Sequence, residues 1–431
     1  MSTGKTIAFF PEAAYGPALN CVGIAQALQK MGHTPVFVCD KGFSGVFAAY
    51  GFAEYPVNMS GDMADEDVAK YWDNFIAQHL PHFHLSPLEQ VGTYVAPVWD
   101  AIVDSAISAE EELQAQLANI KPDLICVDNV ILFPAIKKAG CPWIRIISCS
   151  ENEITDPKVP PHLSGCSQGD YPGYEAFQKE FEHCVGESHQ RFNRFLREQG
   201  EAAYPLGEFF EPSEVMNFLL YPKPLAFDRE NPLSPERYQY LEGCVREEEH
   251  YEVPDFPEPL QKLPLIYVAF GSLGDADIAL YQRMLKTFGA LPYRFLMKVG
   301  EDQSVYDIPE NVVLQSWFPQ PAVVPLADLF IHHGGNNSFN EALYFGKPAI
   351  IMPYCWDGHD NASRIQDTGY GRKLARYDWR EEELGEAIKD CLNNSNMAMK
   401  LRDLKQHMQQ AQGSEKAATI IHEIVQRRLE A

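Results

Sequence analysis

The segment that decides the fold comprises residues 6–39 and reads TIAFFPEAAYGPALNCVGIAQALQKMGHTPVFVC. It begins and ends with short apolar runs, at 6–11 and 35–39, of the kind that form buried strands. Between them, residues 16–28 have apolar side chains at helical spacing, and Gly32 provides a stop for that helix. A strand, a helix and a second strand in succession form a βαβ unit, which predicts a parallel sheet covered by helices.

The same alternation recurs along most of the 431 residues. Further strands are expected at 123–127, 143–148, 265–270, 293–299, 312–315, 329–332 and 349–352. Between 231 and 264 the chain is rich in proline and has an acidic run, which is typical of a link between domains. We therefore predict an α/β protein with two doubly wound, Rossmann-like domains facing a cleft. The predicted boundaries are 1–235, a linker at 236–263, 264–410, and a terminal helix at 411–431 that packs back on the first domain.

Composition excludes several classes of function. The formal net charge is −25 and no stripe of Lys and Arg is present, so we expect no nucleic-acid partner. The ten cysteines are scattered without a CxxC pair, which is typical of reduced thiols. The amino terminus lacks the features of a secretory leader, and no stretch approaches the ~20 apolar residues of a membrane span. These features predict a cytoplasmic protein without a membrane span.

One window in the second half contains most of the chemistry. The expected strand at 329–332 is followed by HGGNNS at 333–338, a glycine-containing turn into a predicted helix. Free backbone N–H groups at such a helix start favour a phosphate. His333, Asn337 and Ser338 add side-chain donors, and Glu341 lies one turn further, where it can accept from ribose hydroxyls. The same residues also suit an ordinary turn in which Asn337 and Ser338 cap the helix.

This window resembles the signature of the UDP-glycosyltransferase superfamily, whose members have the GT-B fold of two facing Rossmann-like domains. Residues 317–320 match W-x-P-Q, residues 333–341 match H-x-G-x-N-S-x-x-E, and residues 353–357 match the beginning of P-x-x-x-[DE]-Q. The loop AFGSL at 269–273 and the first βαβ unit also resemble that family, the latter more weakly.

The resemblance implies an inverting glycosyltransferase that moves a sugar from a UDP-sugar to a small, aromatic or apolar acceptor. The first domain would bind the acceptor and the second the donor. The implied donor site places Trp317 and Phe318 on uracil, Gln320 and Glu341 on ribose, Ser272, His333, Gly335, Asn337 and Ser338 around the diphosphate, and Asp357 on the sugar hydroxyls. Stacking and hydrogen bonds to phosphate need no metal, so we expect the UDP-sugar as co-substrate and neither a metal nor another cofactor.

Two features depart from that pattern. Asp275 and Asp277 form a DxD, which marks a metal in other glycosyltransferases; directly after the AFGSL loop, we interpret it as a solvated loop. Gly358 stands where the family has a glutamine that contacts the sugar, so the identity of the sugar stays open. Trp356 and His359 flank this position and are candidates to reshape the pocket.

The catalytic base is missing from its usual place. The family uses a histidine at the start of the first helix, held by an aspartate after a later strand. Asp128 corresponds to the aspartate, but Pro17 stands at the histidine position, where a first helical turn tolerates proline. One explanation is another base: Asp128 itself, Glu12, His82 or His84. A second is an acidic acceptor that needs little help, and a third is a chain that binds UDP-sugars without efficient transfer.

The acceptor itself cannot be identified from the residues. An aromatic-rich segment suits a flat apolar ligand or a core, and comprises Tyr71, Trp72, Phe75, Phe83, Tyr94 and Trp99. A UDP-sugar epimerase, which shares the two-domain fold, is a less favoured alternative.

Overall fold

The computed structural model describes residues 4–59, 74, 75 and 77–430, and the side chains at 15, 272 and 428–430 lie outside this description. The strands of the first sheet are β1 Thr6–Pro11, β2 Thr34–Asp40, β3 Ala53–Val57, β4 Leu124–Asp128, β5 Trp143–Ile147, β6 Asn217–Leu219 and β7 Tyr238–Tyr240. Those of the second are β8 Leu265–Ala269, β9 Arg294–Lys298, β10 Val312–Gln315, β11 Leu329–His332, β12 Ala349–Ile351 and β13 Gly371–Lys373.

The helices connect the strands and cover the sheets. They are α1 Tyr15–Lys30, α2 Pro87–Gln90, α3 Ala96–Ile120, α4 Pro134–Lys138, α5 Tyr171–Glu198, α6 Gly271–Gly274, α7 Ile278–Gly289, α8 Gln320–Val323, α9 Asn336–Tyr344, α10 Gly358–Thr368, α11 Glu381–Asn393, α12 Ser395–Ala411 and α13 Gly413–Glu430.

Strand order confirms the predicted fold class. The first sheet runs β3-β2-β1-β4-β5-β6-β7 and the second β10-β9-β8-β11-β12-β13, and all neighbours are parallel. Each is an open doubly wound sheet whose order reverses beside its first strand. Ligands of such sheets bind at the carboxyl ends of the strands at this reversal. The two candidate positions are therefore the ends of β1 and β4 in the first sheet and of β8 and β11 in the second.

The first strand illustrates why both faces of a sheet are covered. Side chains alternate along a strand, so Ile7 and Phe9 pack into one core cluster while Ala8 and Phe10 pack into another. The first of these clusters is shared by α1 and the terminal helix α13, which contributes Ala417, Ala418, Ile421 and Val425. The terminal helix therefore packs on the first helix of the chain.

One strand lies where the sequence indicated a linker. Residues 238–240 of the expected linker 236–263 form β7, which pairs in parallel with β6 at the edge of the first sheet. The first sheet therefore extends beyond residue 235. The short segment YQY is only half-buried, as expected of an edge strand, and lacks the long apolar run that identified the inner strands.

Candidate active site

The end of β11 holds His333 between two glycines. A methyl group added to Gly271 would lie 2.9 Å from the His333 ring carbon Cε1, and one added to Gly335 would lie 2.5 Å from Nε2. Both positions therefore have to be glycine for the imidazole to lie between the strand ends. Burial, with Arg376 nearby, lowers the pKa of His333 to about 4, so the ring is neutral at pH 7. Its Nδ1 has no hydrogen-bond partner among the described residues.

Helix α9 starts directly beside this ring. Its first N–H, that of Asn336, donates to Asp357 Oδ2 at 3.1 Å, and Asn361 Nδ2 reaches the same oxygen at 3.4 Å. Asn337 Nδ2 donates across the cleft to the carbonyl oxygen of Gly16 at 3.0 Å. The turn thus brings a neutral imidazole, a helix N-terminus and a carboxyl group together, where an anionic ligand is favoured.

A hydrogen-bonded chain links three of the predicted ligands of the nucleotide. Gln320 Nε2 donates to Ser338 Oγ at 3.1 Å and to Glu341 Oε2 at 2.7 Å. The other oxygen of Glu341 accepts from Arg246 Nη1 at 3.2 Å. Burial raises the pKa of Glu341, and the neighbouring Arg246 guanidinium opposes this rise. The sequence did not indicate Arg246, which lies in the expected linker.

Trp317 stands out from this buried network because its side chain is 56% exposed. The next residue, Phe318, is buried and packs edge-on against Tyr251 and Tyr267. Phe318 therefore anchors the backbone while the indole of Trp317 faces outward. A large exposed ring on a fixed backbone is suited to stacking on a planar ligand.

The segment after β12, which belongs to the second domain, contacts the first domain. Trp356 has φ = 54°, in the left-handed region that bulky residues rarely adopt, and such strain is common at functional sites. His359 does not flank an empty space; its Nε2 contacts Gln90 Oε1 of the first domain at 3.0 Å. Burial raises the pKa of Asp357 to about 8. The positive charge of His162 opposes this rise, and the negative charge of Asp360 adds to it.

Gly358 is packed too tightly for a side chain. A Cβ there would lie 2.6 Å from the backbone oxygen of His333. We expect Gly358→Gln to lower the free energy of unfolding by about 1–3 kcal/mol and not to create a new contact to the sugar. The matched control is Gly300→Gln, because a Cβ at Gly300 meets nothing within 4 Å. Denaturant titration of both variants tests this, and equal midpoints would contradict it.

The DxD has structural partners, so the expected solvated loop was wrong. Asp275 forms an ion pair with Lys298 and accepts from the hydroxyl of Tyr281 at 2.9 Å. Asp277 is buried and caps α7 by accepting from Leu280 N at 3.1 Å. Within the described part of the chain, no group of three or more His, Cys, Asp or Glu residues is arranged to hold a metal. Ser272 lies on α6, between β8 and α7 in the chain. Its side chain is outside the described residues.

Asp128 and Glu12 lie at the reversal of the first sheet. Pro11 pairs with Asp128 across β1 and β4, and Glu12 N donates to the carbonyl oxygen of Asp128 at 2.7 Å. The Asp128 carboxyl group accepts from Ser148 Oγ at 2.7 Å and contacts Cys21 Sγ at 3.8 Å. Burial raises the pKa of Asp128 well above its usual range and that of Glu12 to about 7. The protonated form of Asp128, which is a poor base, is thereby favoured.

The other two candidate bases contact different residues. His82 Nδ1 lies 3.1 Å from His79 Nδ1, and exposed His84 stacks on Tyr377 with ring centroids 3.5 Å apart. Of the aromatic segment, Phe83, Tyr94 and Trp99 are buried as core, and Tyr71 and Trp72 lie outside the described residues. The structure therefore brings Asp128 and Glu12 together and holds His82 and His84 elsewhere.

Sequence reasoning missed a partly buried histidine between the domains, His162, whose side chain is 16% exposed. His162 Nδ1 lies 3.2 Å from Ser150 Oγ and 3.5 Å from Asp360 Oδ2. Asp360 is on α10, three residues after Asp357. This short spacing from a proposed sugar ligand is the one feature of the sequence that could have indicated Asp360 as part of the site. His162 itself lies in an irregular segment, PPHLSG at 160–165, whose sequence gives no indication of a site.

Comparison with known proteins identifies the class. The C-terminal domain of erythromycin biosynthesis protein CIII-like proteins matches residues 283–426. The oleandomycin glycosyltransferase of Streptomyces antibioticus is 24% identical over 97% of this chain and 91% of its own length. The NDP-glycosyltransferase YjiC of Bacillus subtilis (strain 168) is 24% identical over 74% of this chain and 77% of its own. This chain is a glycosyltransferase of GT-B fold.

Solved structures agree with the fold of this glycosyltransferase. The kitacinnamycin glycosyltransferase superposes with a TM-score of 0.73 at 20% identity, covering 98% of this chain and 100% of that one. The SsfS6 glycosyltransferase of Streptomyces sp. SF2575, solved with thymidine diphosphate, gives 0.65 at 15% identity, covering 97% and 99%. Among its described residues, the glycosyltransferase has no helix long and apolar enough to cross a membrane.

Proposed function

We propose that this glycosyltransferase moves a sugar from a UDP-sugar to a small apolar or aromatic acceptor, with inversion at the anomeric carbon and without a metal. The observation that supports this most is the arrangement at the end of β8 and β11. There the neutral imidazole of His333, the start of α9 and the carboxyl group of Asp357 lie together, and the exposed ring of Trp317 follows the end of β10 in the same sheet.

Each part has a physical role in holding the donor. The indole of Trp317 stacks on the base, and Gln320 with Glu341 accept the ribose hydroxyls. The backbone N–H groups at the start of α9, beside the neutral ring of His333, stabilise the diphosphate and the negative charge that develops on it as the leaving group departs. Asp357 accepts from sugar hydroxyls. These groups stabilise the leaving diphosphate without a cation.

The acceptor lies on the first-domain side of the same cleft. Trp356 is close to Trp99, with ring centroids 6.2 Å apart, and Trp99 stacks on Phe209 at 4.2 Å. The partly buried ring of Trp356, backed by the core residues Trp99 and Phe209, is therefore the aromatic surface that precedes Asp357. The relative from Streptomyces antibioticus is named an oleandomycin glycosyltransferase, and the small molecule in that name supports an acceptor of this class.

Product analysis tests the proposal. The chain is incubated with UDP-glucose, UDP-N-acetylglucosamine or dTDP-glucose and a panel of phenols and macrolides, with and without EDTA. We expect UDP release with a β-linked product from the α-linked donor, seen by NMR, and no loss in EDTA. An α-linked product, or activity abolished by EDTA and restored by Mg²⁺, would contradict the proposal.

A second candidate, a UDP-sugar-binding protein without efficient transfer, is favoured by Pro17 together with the burial that raises the pKa of Asp128. In that case Pro17→His should create turnover that the natural chain lacks. If the natural chain already turns over and Pro17→His adds nothing, another base operates.

A further inference from the structure

We propose that His162 Nε2 is the base that deprotonates the acceptor, and that Asp360 on the opposite domain is its positioning residue. This inference rests on the proposed function, because a base is needed only if the acceptor is glycosylated. It assigns the role left vacant by Pro17 to a residue outside the first helix. It also means that the base is complete only when the two domains are together.

The first support is the surroundings of the imidazole. The Nδ1 side of His162 faces Ser150 Oγ and the Asp360 carboxylate, at 3.2 and 3.5 Å. Nε2 is buried and has no hydrogen-bond partner within the described part of the chain. A carboxylate on one ring nitrogen fixes the N–H there and leaves the other nitrogen as the acceptor, which is the arrangement of a general base.

The second support is the rigid attachment of the histidine to Asp360. The Asp360 side chain is fully buried and accepts from the backbone N–H groups of Leu163 at 2.7 Å and Gly165 at 2.9 Å. Leu163 has φ = 71°, and a Cβ at Gly165 would lie 2.9 Å from that of His359. The same carboxylate thus holds the backbone one and three residues after His162, in a strained conformation that the interface maintains.

His162 also lies close to the proposed sugar ligand. Its ring meets that of Trp356, the residue before Asp357, edge-on with centroids 6.3 Å apart. The positive charge of His162 opposes the rise that burial causes in the pKa of Asp357 and of Glu12. His162 therefore lies beside the residues that we propose contact the donor sugar.

The step balances without a further reactant. The acceptor oxygen forms a bond to the anomeric carbon as the bond from that carbon to the diphosphate oxygen breaks. The electron pair leaves with the nucleoside diphosphate, and the acceptor proton goes to His162 Nε2. The resulting imidazolium is stabilised by the Asp360 carboxylate.

Kinetics of His162→Asn test the base. We expect kcat to fall by about 100- to 10,000-fold, the KM for the UDP-sugar to change little, and imidazole to restore part of the activity of His162→Ala. The matched control is His183→Asn, an exposed histidine of α5, which should resemble the natural chain. A kcat for His162→Asn equal to that of the control would overturn the proposal.

The pH profile adds a readout that a merely structural histidine would not move. The groups facing His162 are Asp360 and Asp357 on the α10 side, Glu153 after β5 and Glu12 after β1. Burial lowers the pKa of His162, but these charges and the hydrogen bond that its ring donates to Asp360 raise it overall. Activity should therefore rise with pH as Nε2 loses its proton. Asp360→Asn should shift this rise in activity to lower pH, because the carboxylate that raises the pKa of His162 is lost. A rise at an unchanged pH would contradict the role of Asp360 as the positioning residue.

An NMR titration separates this inference from the proposed function. The ring protons of His162, assigned with His162→Asn, should titrate above the usual histidine range in the free protein and lower in Asp360→Asn. No shift between the two would refute the pair even if sugar transfer is found. Conversely, the absence of transfer by the natural chain would sink the proposed function and with it the role as base.

Discussion

Trp317→Ala should weaken binding of UDP by about 5- to 150-fold, because stacking of a base on an aromatic ring contributes roughly 1–3 kcal/mol. The indole is 56% exposed on a backbone fixed by Phe318, so its loss leaves the surrounding network in place. Trp317→Phe keeps a stacking surface, so its affinity for UDP should lie between those of Trp317→Ala and the natural chain. Equilibrium dialysis with radiolabelled UDP measures the three affinities.

The control for Trp317→Ala is a second exposed aromatic residue. Tyr171 is 54% exposed at the start of α5 in the other domain. Tyr171→Ala should bind UDP like the natural chain. If both alanine variants lose affinity equally, or neither does, Trp317 is not the stacking residue and the implied donor site is misplaced.

Arg229→Met should lower the free energy of unfolding of the first domain by about 3–5 kcal/mol, because it leaves a buried carboxylate without its counter-ion. Arg229 Nε lies 3.0 Å from Glu151 Oε1, and the side chains are 5% and 0% exposed. Tyr240 and the backbone N–H of Phe227 also donate to Glu151, at 2.9 and 3.1 Å. Urea titration monitored by circular dichroism measures the change.

Two further variants isolate the cause. Arg372→Met removes an exposed ion pair with Asp390, whose side chains are 44% and 64% exposed, and should cost about 1 kcal/mol or less. Replacing both buried partners, in Arg229→Met with Glu151→Leu, should recover much of the stability. A loss in Arg229→Met no greater than in Arg372→Met would show that the buried pair is not a major contributor.

Glu151 also links stability to the proposed site. It begins the short 3-10 helix Glu151–Glu153 after β5, which includes one of the carboxyl groups facing His162. Arg229→Met is therefore expected to disturb the position of that carboxyl group as well. The ion pair between Arg229 and Glu151 therefore stabilises the segment that includes Glu153.

Most inner strands could be predicted because parallel strands buried on both faces are continuous apolar runs, but the three-residue inner strand β6 was not predicted. Of the outer strands, β10 was predicted and three others were not. Residues 53–57 include a proline and form the edge strand β3, while β7 and β13 have three residues each and lie at the outer ends of the sheets. Their pairing depends on neighbours distant in the chain.

The contacts among the proposed donor residues could be predicted because these residues lie close together in the chain, on turns whose geometry follows from local sequence. Even there, the tight packing of Gly358 against His333 and the pairing of Glu341 with Arg246 needed the structure. The acceptor side could not be predicted. His162 and Asp360 are 198 residues apart in the chain and meet only when two separately folded sheets face each other.

The central claim is that the end of β8 and β11 binds a nucleoside diphosphate sugar. Calorimetric titration of the natural chain with UDP, and in parallel with dTDP, tests it most directly. The account predicts saturable binding of UDP at one site per chain. Absence of binding to both nucleotides would contradict the donor site, and binding of dTDP alone would contradict the assignment of uridine.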